Sequence, residues 1–311
     1  MRIAIYGTGG VGGYFGGRLA QVGEEVAFIA RGEHLRALQR DGLRVESIAG
    51  DFHIDPVQAT DNPADIGPVD VVLVAVKTWQ LPEVAEAMGP LVGPETIIVP
   101  LLNGVEAPGI LAAVHGEEHV AGGLCSLITS IGGPGLIRHE GAPPRIAFGR
   151  LDGRPEARLE ALLGALSRAQ GVTAEIAEDV EAAMWRKFLM ITTFSGVGAV
   201  TRAPVGVMRS LPETRALLQE SLREIYDVAL ARNVALTPEA MEWAMGFMDA
   251  LPPTATASMQ RDILEGRPSE LEAQNGAVVR LGAEAGVETP LNRFIYFSLL
   301  PQERKARGIE L

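Results

Sequence analysis

Apolar and polar positions along the 311-residue chain fall into two regimes. From Met1 to about Gly171, short β-rich runs at 2–6, 26–30, 69–76, 96–101, 120–130 and 145–149 alternate with helical patterns at 11–22, 32–41, 80–88 and 105–114. The run VDVVLVAV at 69–76 is apolar at almost every position, which suits a strand covered on both faces, as in a parallel sheet wrapped by helices. Beyond about residue 178 the strand signal stops. Helical patterns follow at 179–200, 213–232, 238–251, 254–264, 269–285 and 290–300, separated by Pro- and Gly-bearing turns such as LPPT and GRPS. The pattern predicts an α/β domain with a helix-wrapped parallel sheet, the Rossmann-type arrangement, over 1–177 and an all-α domain over 178–311. The closing PQERKARGIEL reads as a solvated tail.

Composition narrows the partners. A formal net charge of −12 and the lack of any long basic run argue against nucleic acid, whose phosphates an acidic surface repels. The N-terminal apolar run ends at once in glycine, and the longest central one, 188–200, is too short to span a bilayer, so it predicts a buried helix and no membrane association. A single cysteine, Cys125, fits a reducing compartment, and the expectation is a cytoplasmic protein.

The stretch IAIYGTGGVGGYFGG places Gly7, Gly9 and Gly12 in the G-x-G-x-x-G spacing, between a predicted strand and a predicted helix. The first glycine permits the tight turn, the second lets a pyrophosphate approach the backbone, and the third lets helix and strand pack closely. Thr8, Gly10 and Val11 complete a cradle whose backbone N–H groups face the phosphates. After the second strand, where a carboxylate would hold the ribose 2′-hydroxyl of NAD, the chain reads Ala30-Arg31-Gly32. An arginine there suits the 2′-phosphate of NADP, so the expected cofactor is NADP(H), although a plain solvent-exposed arginine fits the position too.

Such a fold predicts a site between the domains at the carboxyl ends of the strands. Lys77 in VKTWQ and Asn103 in LLNG both follow predicted strands. In MWRKF, Lys187 stands at the edge of the buried helix, where partial loss of hydration suits a proton donor and a snorkelling lysine is the alternative. Glu270 in SELEAQNG falls in the first turn of a helix, where capping alone accounts for a carboxylate.

Taken together, GTGGVGG, VKTWQ, LLNG, WRK, SMQRD and SELEAQNG, in this order across nearly the whole chain, resemble the ketopantoate reductase family of NADP-dependent 2-dehydropantoate 2-reductases. The resemblance implies reduction of a 2-keto acid to a 2-hydroxy acid, with a place in pantothenate biosynthesis. It makes Lys187 the general acid and Glu270 a group that positions cofactor and substrate. By the same resemblance Ser258 bonds the substrate carboxylate, and Asn103 and Lys77 line the cofactor and the reacting centre. The family's ketopantoate-reducing members carry asparagines four and eight residues after the lysine and one past the end of that helix. Here Ile191, Ser195 and Val205 stand there, so the substrate pocket has changed. Arg202 can replace the lost anion-holding groups or answer the helix dipole.

Two other readings compete: a β-hydroxyacid-type dehydrogenase, and a non-catalytic NADP(H)-sensing protein, which would need neither Lys187 nor Glu270. The apolar MEWAMGFM at 241–248 is compatible with a homodimer. His115 and His119 have the spacing of a helical metal pair, but Gly116 intervenes and no third ligand is evident, so no metal is expected. Cys125 lies in an apolar run and reads as an inert, buried thiol. His34, His53 and His139 form no pattern with a nucleophile.

Overall fold

The computed structural model describes residues 1–309. It divides into two compact units, one of residues 1–102 and 107–180, the other of residues 103–106 and those from 181 onward. The first unit comprises, in chain order, β1 (Arg2–Tyr6), α1 (Gly10–Gln21), β2 (Glu25–Ile29), α2 (Gly32–Asp41), β3 (Leu43–Ser47), β4 (Phe52–Ile54), β5 (Gln58–Thr60) and β6 (Val69–Val74). It continues through α3 (Leu81–Ala87), β7 (Val92–Pro100), α4 (Ala107–His115), β8 (Ala121–Gly133), β9 (Leu136–Arg150), α5 (Ala157–Arg168) and β10 (Thr173–Ile176).

A parallel sheet in the order β5-β2-β1-β6-β7 is the frame of this unit. Along β6 the side chains alternate between two cores: Val71 and Leu73 pack with Phe15 and Leu19, whereas Val72 and Val74 pack with Leu81 and Leu111. That two-sided burial explains the unbroken apolar run. Strand order reverses beside β1, which puts the turn after β1 at the topological switch point, the customary ligand position in such sheets.

The predicted strands at 120–130 and 145–149 do not extend the parallel sheet. They are parts of the long antiparallel pair β8–β9, which belongs to a second, mixed sheet in the order β10-β9-β3-β4 and meets the first through a bridge between Ile98 and Val120. From Ser126 to Ser130 β8 alternates between exposed and half-buried residues, as a strand with one face in water does. The strands β3, β4, β5 and β10, three to five residues long, are not among the predicted elements, and neither is the 12-residue α5, although its buried Leu159, Leu162 and Leu166 recur at helical spacing.

The second unit is helical: α6 (Val180–Thr201), α7 (Val205–Ser210), α8 (Pro212–Ala231), α9 (Glu239–Ala250), α10 (Ser258–Leu264), a π-helical turn (Glu272–Gly276), α11 (Ala277–Ala285) and α12 (Pro290–Ala306). α6 is apolar around its circumference and buried along 188–199 apart from half-buried Ile191, as expected for the central helix of a core. Gly196 and Gly198 lie against the side chains of Asn275 and Gln260, so a methyl group at either would collide at 2.7 Å or less. The predicted helix over 269–285 is instead a π turn leading into α11, with Glu270 just outside it.

Most described residues of the tail are exposed, as expected, but the segment is ordered and one of its side chains is buried. α12 runs to Ala306, and Glu303 is buried with its carboxylate accepting from the Ser269 N–H (3.0 Å), the Ser269 Oγ (2.5 Å) and Arg307. A polar-looking segment is folded because its carboxylate is fully engaged. Its last two residues, 310 and 311, lie outside the described ones. Among the described residues no helix is long and apolar enough to cross a membrane.

Candidate active site

In the first unit, β1 ends at Tyr6 and the chain turns through Gly7, whose φ of 97° only glycine adopts without strain. The N–H groups of Gly7 and Thr8 both donate to the Ile29 carbonyl at 3.2 Å, and the Thr8 hydroxyl donates to the same oxygen at 3.0 Å. The turn is thereby pinned to the end of β2. A Cβ on Gly12 would strike the Gly7 carbonyl oxygen and approach Ile5 Cγ2 at 2.8 Å, so close packing of α1 on β1 requires glycine there. At Gly9, by contrast, a Cβ would meet nothing within 4 Å. Gly9 caps α1, and Gly10, Val11 and Gly12 form its first turn, where the N–H groups have no partner within the helix. The open space at Gly9, at the positive end of a 12-residue helix, fits a pyrophosphate, whereas Gly10 lies against Thr129 of β8.

Two cations follow strands of the same sheet. Arg31 caps α2 and bonds Glu83 of α3 at 3.2 Å. Lys77 lies beyond β6, its N–H donating to Gln80 Oε1 at 3.2 Å and its ammonium 5.7 Å from the centre of the Trp79 ring.

In the second unit the tertiary structure joins residues far apart in sequence. Asn103 Nδ2 donates to Glu270 Oε2 at 2.8 Å, although 167 positions separate them. Three residues on, Glu106 binds Arg280 Nη2 at 2.8 Å, and Arg280 also pairs with Glu272. Tyr296 donates to Glu272 Oε2 at 2.5 Å; burial and the adjacent carboxylate push its phenol up to about 12. Gly104, at φ 92°, faces the Ala273 carbonyl, which a Cβ would approach at 2.9 Å. Segment 103–106 is thus fastened along the π turn, and Glu270 accepts a side-chain amide rather than merely capping a helix. π turns inside helices recur at functional positions because they reorient side chains.

On α6, Lys187 is half-buried, and Ile191 and Ser195 follow one and two turns later on neighbouring positions of the same face. Ile191 packs against the helical core, and Ser195 is wholly buried. Arg202, just past the helix, is exposed with a left-handed backbone (φ 57°). Val205 is buried at the start of α7, and Ser258 opens α10 half-buried.

The Ser195 hydroxyl has no hydrogen-bond partner among the described residues, nor do Thr192 Oγ1, Asn275 Oδ1 or either amide atom of Gln274. These atoms are enclosed in the helical unit, where polar groups ordinarily find partners. Gln274 and Asn275 are not among the residues that the sequence singled out, and the available signal was a polar pair one turn beyond Glu270, just before the apolar Ala277-Val278-Val279.

The remaining histidines are engaged structurally. His115 Nε2 meets the Ala85 carbonyl at 2.7 Å and His119 Nδ1 the Thr96 carbonyl at 2.9 Å. His139, which sequence linked to no nucleophile, lies 2.8 Å from Ser47 Oγ, but its other nitrogen faces the Ala142 carbonyl rather than a carboxylate. Cys125 is buried, its thiol 3.7 Å from the Leu101 carbonyl.

A parallel α/β unit with this glycine turn, followed by a helical unit, is the architecture of a dinucleotide-dependent oxidoreductase. Residues 3–153 match the family described as ketopantoate reductase PanE/ApbA, and residues 179–301 match its C-terminal part. The chain belongs to the ketopantoate reductase family, as its motifs led one to expect. It is 30% identical to the uncharacterized oxidoreductase YkpB of Bacillus subtilis, over 96% of this chain and 98% of that one. To the 2-dehydropantoate 2-reductase of a Nostoc species it is 29% identical, over 96% and 94%. The crystal structure of 2-dehydropantoate 2-reductase from Geobacter metallireducens superposes with a TM-score of 0.89 at 33% identity, covering 97% of this chain and 99% of that one.

Proposed function

We propose that the protein reduces a 2-keto acid, 2-dehydropantoate or a related branched 2-keto acid, to the 2-hydroxy acid with NADPH, as a cytoplasmic enzyme of pantothenate biosynthesis that works as a homodimer. Family membership supports oxidoreductase chemistry on a small keto acid. The observation that carries the residue assignment is the Asn103–Glu270 hydrogen bond, which unites two motifs remote in sequence into one polar centre.

Gly7, Thr8, Gly9, Gly10, Val11 and Gly12 would hold the pyrophosphate, with Arg31 at the 2′-phosphate and Lys77 beside the cofactor. When bound, the nicotinamide supplies the hydride. Lys187 donates a proton to the carbonyl oxygen as the alkoxide develops, and its positive charge stabilises that oxygen. Asn103 holds the Glu270 carboxylate in one orientation, Ser258 bonds the substrate carboxylate, and Arg202 is a second anchor for it. Ile191 and Ser195 shape the pocket beyond the carbonyl, with Val205 at the third altered position. An apolar residue in place of an amide selects against substrates that need that hydrogen bond, which favours a related branched acid less polar than 2-dehydropantoate.

The test is NADPH oxidation, followed by absorbance, against 2-keto acids from small to bulky and branched, with Lys187→Ala in parallel. Turnover of a branched acid, lowered about 10²- to 10⁴-fold in Lys187→Ala while NADPH still binds, is the expected result. NADPH binding with no turnover of any acid overturns the proposal.

A further inference from the structure

Arg31 has a counterion that its sequence context does not announce. Its Nη2 lies 3.2 Å from Glu83 Oε1, in the first turn of α3 and 52 positions away, and both side chains are mostly exposed, at 59% and 71%. Beside them the Tyr6 phenol, at the end of β1, is pushed up by burial and drawn partly back by the Arg31 guanidinium. The Gly7 and Thr8 N–H groups bind the Ile29 carbonyl at the end of β2, so the ion pair stands at the rim of the glycine turn. In sites of this kind the adenosine ribose lies beyond the second strand.

A carboxylate at that place accepts the ribose 2′-hydroxyl, whereas an arginine pairs with a 2′-phosphate. Sequence offers only the arginine, since no acidic residue follows β2 before Glu33. The fold brings in a carboxylate from α3, so the rim holds both recognition groups, bound to each other. A 2′-phosphate, carrying between one and two negative charges, would have to displace Glu83 from Arg31 and then sit beside its carboxylate.

We propose that Glu83 is a cofactor-selecting residue: it competes with the 2′-phosphate for Arg31 and offers the 2′-hydroxyl an acceptor, so that the site takes both NADPH and NADH in a ratio set by this pair. The proposal rests on the reading that the glycine turn holds the nicotinamide dinucleotide. Exposure and salt screening keep the effect modest.

Titrating NADPH and NADH by nicotinamide fluorescence on the wild type, Glu83→Gln, Arg31→Ala and the double variant tests it. Glu83→Gln is expected to tighten NADPH about 3- to 10-fold and to weaken NADH about 2- to 5-fold, as the loss of one exposed charge interaction implies. Arg31→Ala shifts the two cofactors in the opposite sense, and the effects of the two substitutions on NADPH are not additive in the double variant, as expected of groups that share one ion pair. Equal shifts for both cofactors, or none, overturn the proposal while leaving the cofactor site intact. A wild type that binds neither dinucleotide overturns the reading of the turn itself, and the proposal with it.

Discussion

Asn103 holds Glu270 by a 2.8 Å hydrogen bond within the helical unit, although the chain reaches Asn103 directly after the last strand of the parallel sheet. Glu106–Arg280 anchors the same short segment three residues on. A carboxylate steered in this way loses its orientation when the amide is removed. Asn103→Ala is expected to lower kcat/KM about 10²-fold with the melting temperature nearly unchanged, since misplacement of a catalytic group costs on this scale. Full activity in Asn103→Ala would show that Glu270 needs no such steering.

The glycines of the turn separate folding from binding. Gly9→Ala places a methyl group where nothing lies within 4 Å, so thermal stability should hold while NADPH affinity falls at least about 10-fold, because the methyl takes the space of the pyrophosphate. Gly12→Ala drives a Cβ into the Gly7 carbonyl and should destabilise the fold itself, by about 1–3 kcal/mol or more. Calorimetry together with cofactor titration distinguishes the two, and unchanged NADPH affinity in Gly9→Ala would count against the cradle.

His34 is expected to make the α/β unit sensitive to acid. Its Nδ1 accepts from the Gly135 N–H at 3.1 Å, which requires an unprotonated nitrogen, and burial lowers its pKa from 6.5 although the nearby Thr8 backbone acts the other way. The folded state therefore binds a proton less readily than the unfolded state. Its stabilising contribution is complete above pH 6.5 and is lost as the pH falls through the lower folded-state value. Melting temperatures from pH 7.5 to 5 should fall more steeply for the wild type than for His34→Gln, and parallel curves would refute the linkage.

Gln274 is fully buried with neither amide atom hydrogen-bonded among the described residues. Gln274→Met keeps much of the side-chain length and removes the unpaired donor and acceptor, so it should stabilise the protein by about 1–3 kcal/mol. A lower melting temperature would mean that the carboxamide is satisfied in solution.

The division into an α/β and a helical part was legible in the chain, because side-chain periods of two and of 3.6 leave a record in most long elements, α5 being one that the reading passed over. The sequence by itself determined the glycine turn, since only glycine tolerates the φ at Gly7 and the contact at Gly12, and it determined the family, through motifs spread along the whole chain. Short strands such as β4 and β5 left no period to read, and β8 and β9 looked like sheet strands without declaring which sheet they would join. Tertiary structure alone decided that Asn103 meets Glu270, that Glu83 stands against Arg31, and that Glu303 is buried under Ser269. Each of these depends on a hydrogen bond or charge pair between residues 34 to 167 positions apart. Local patterning encodes which face of an element is apolar, whereas the partner of a polar side chain is fixed only when the elements pack.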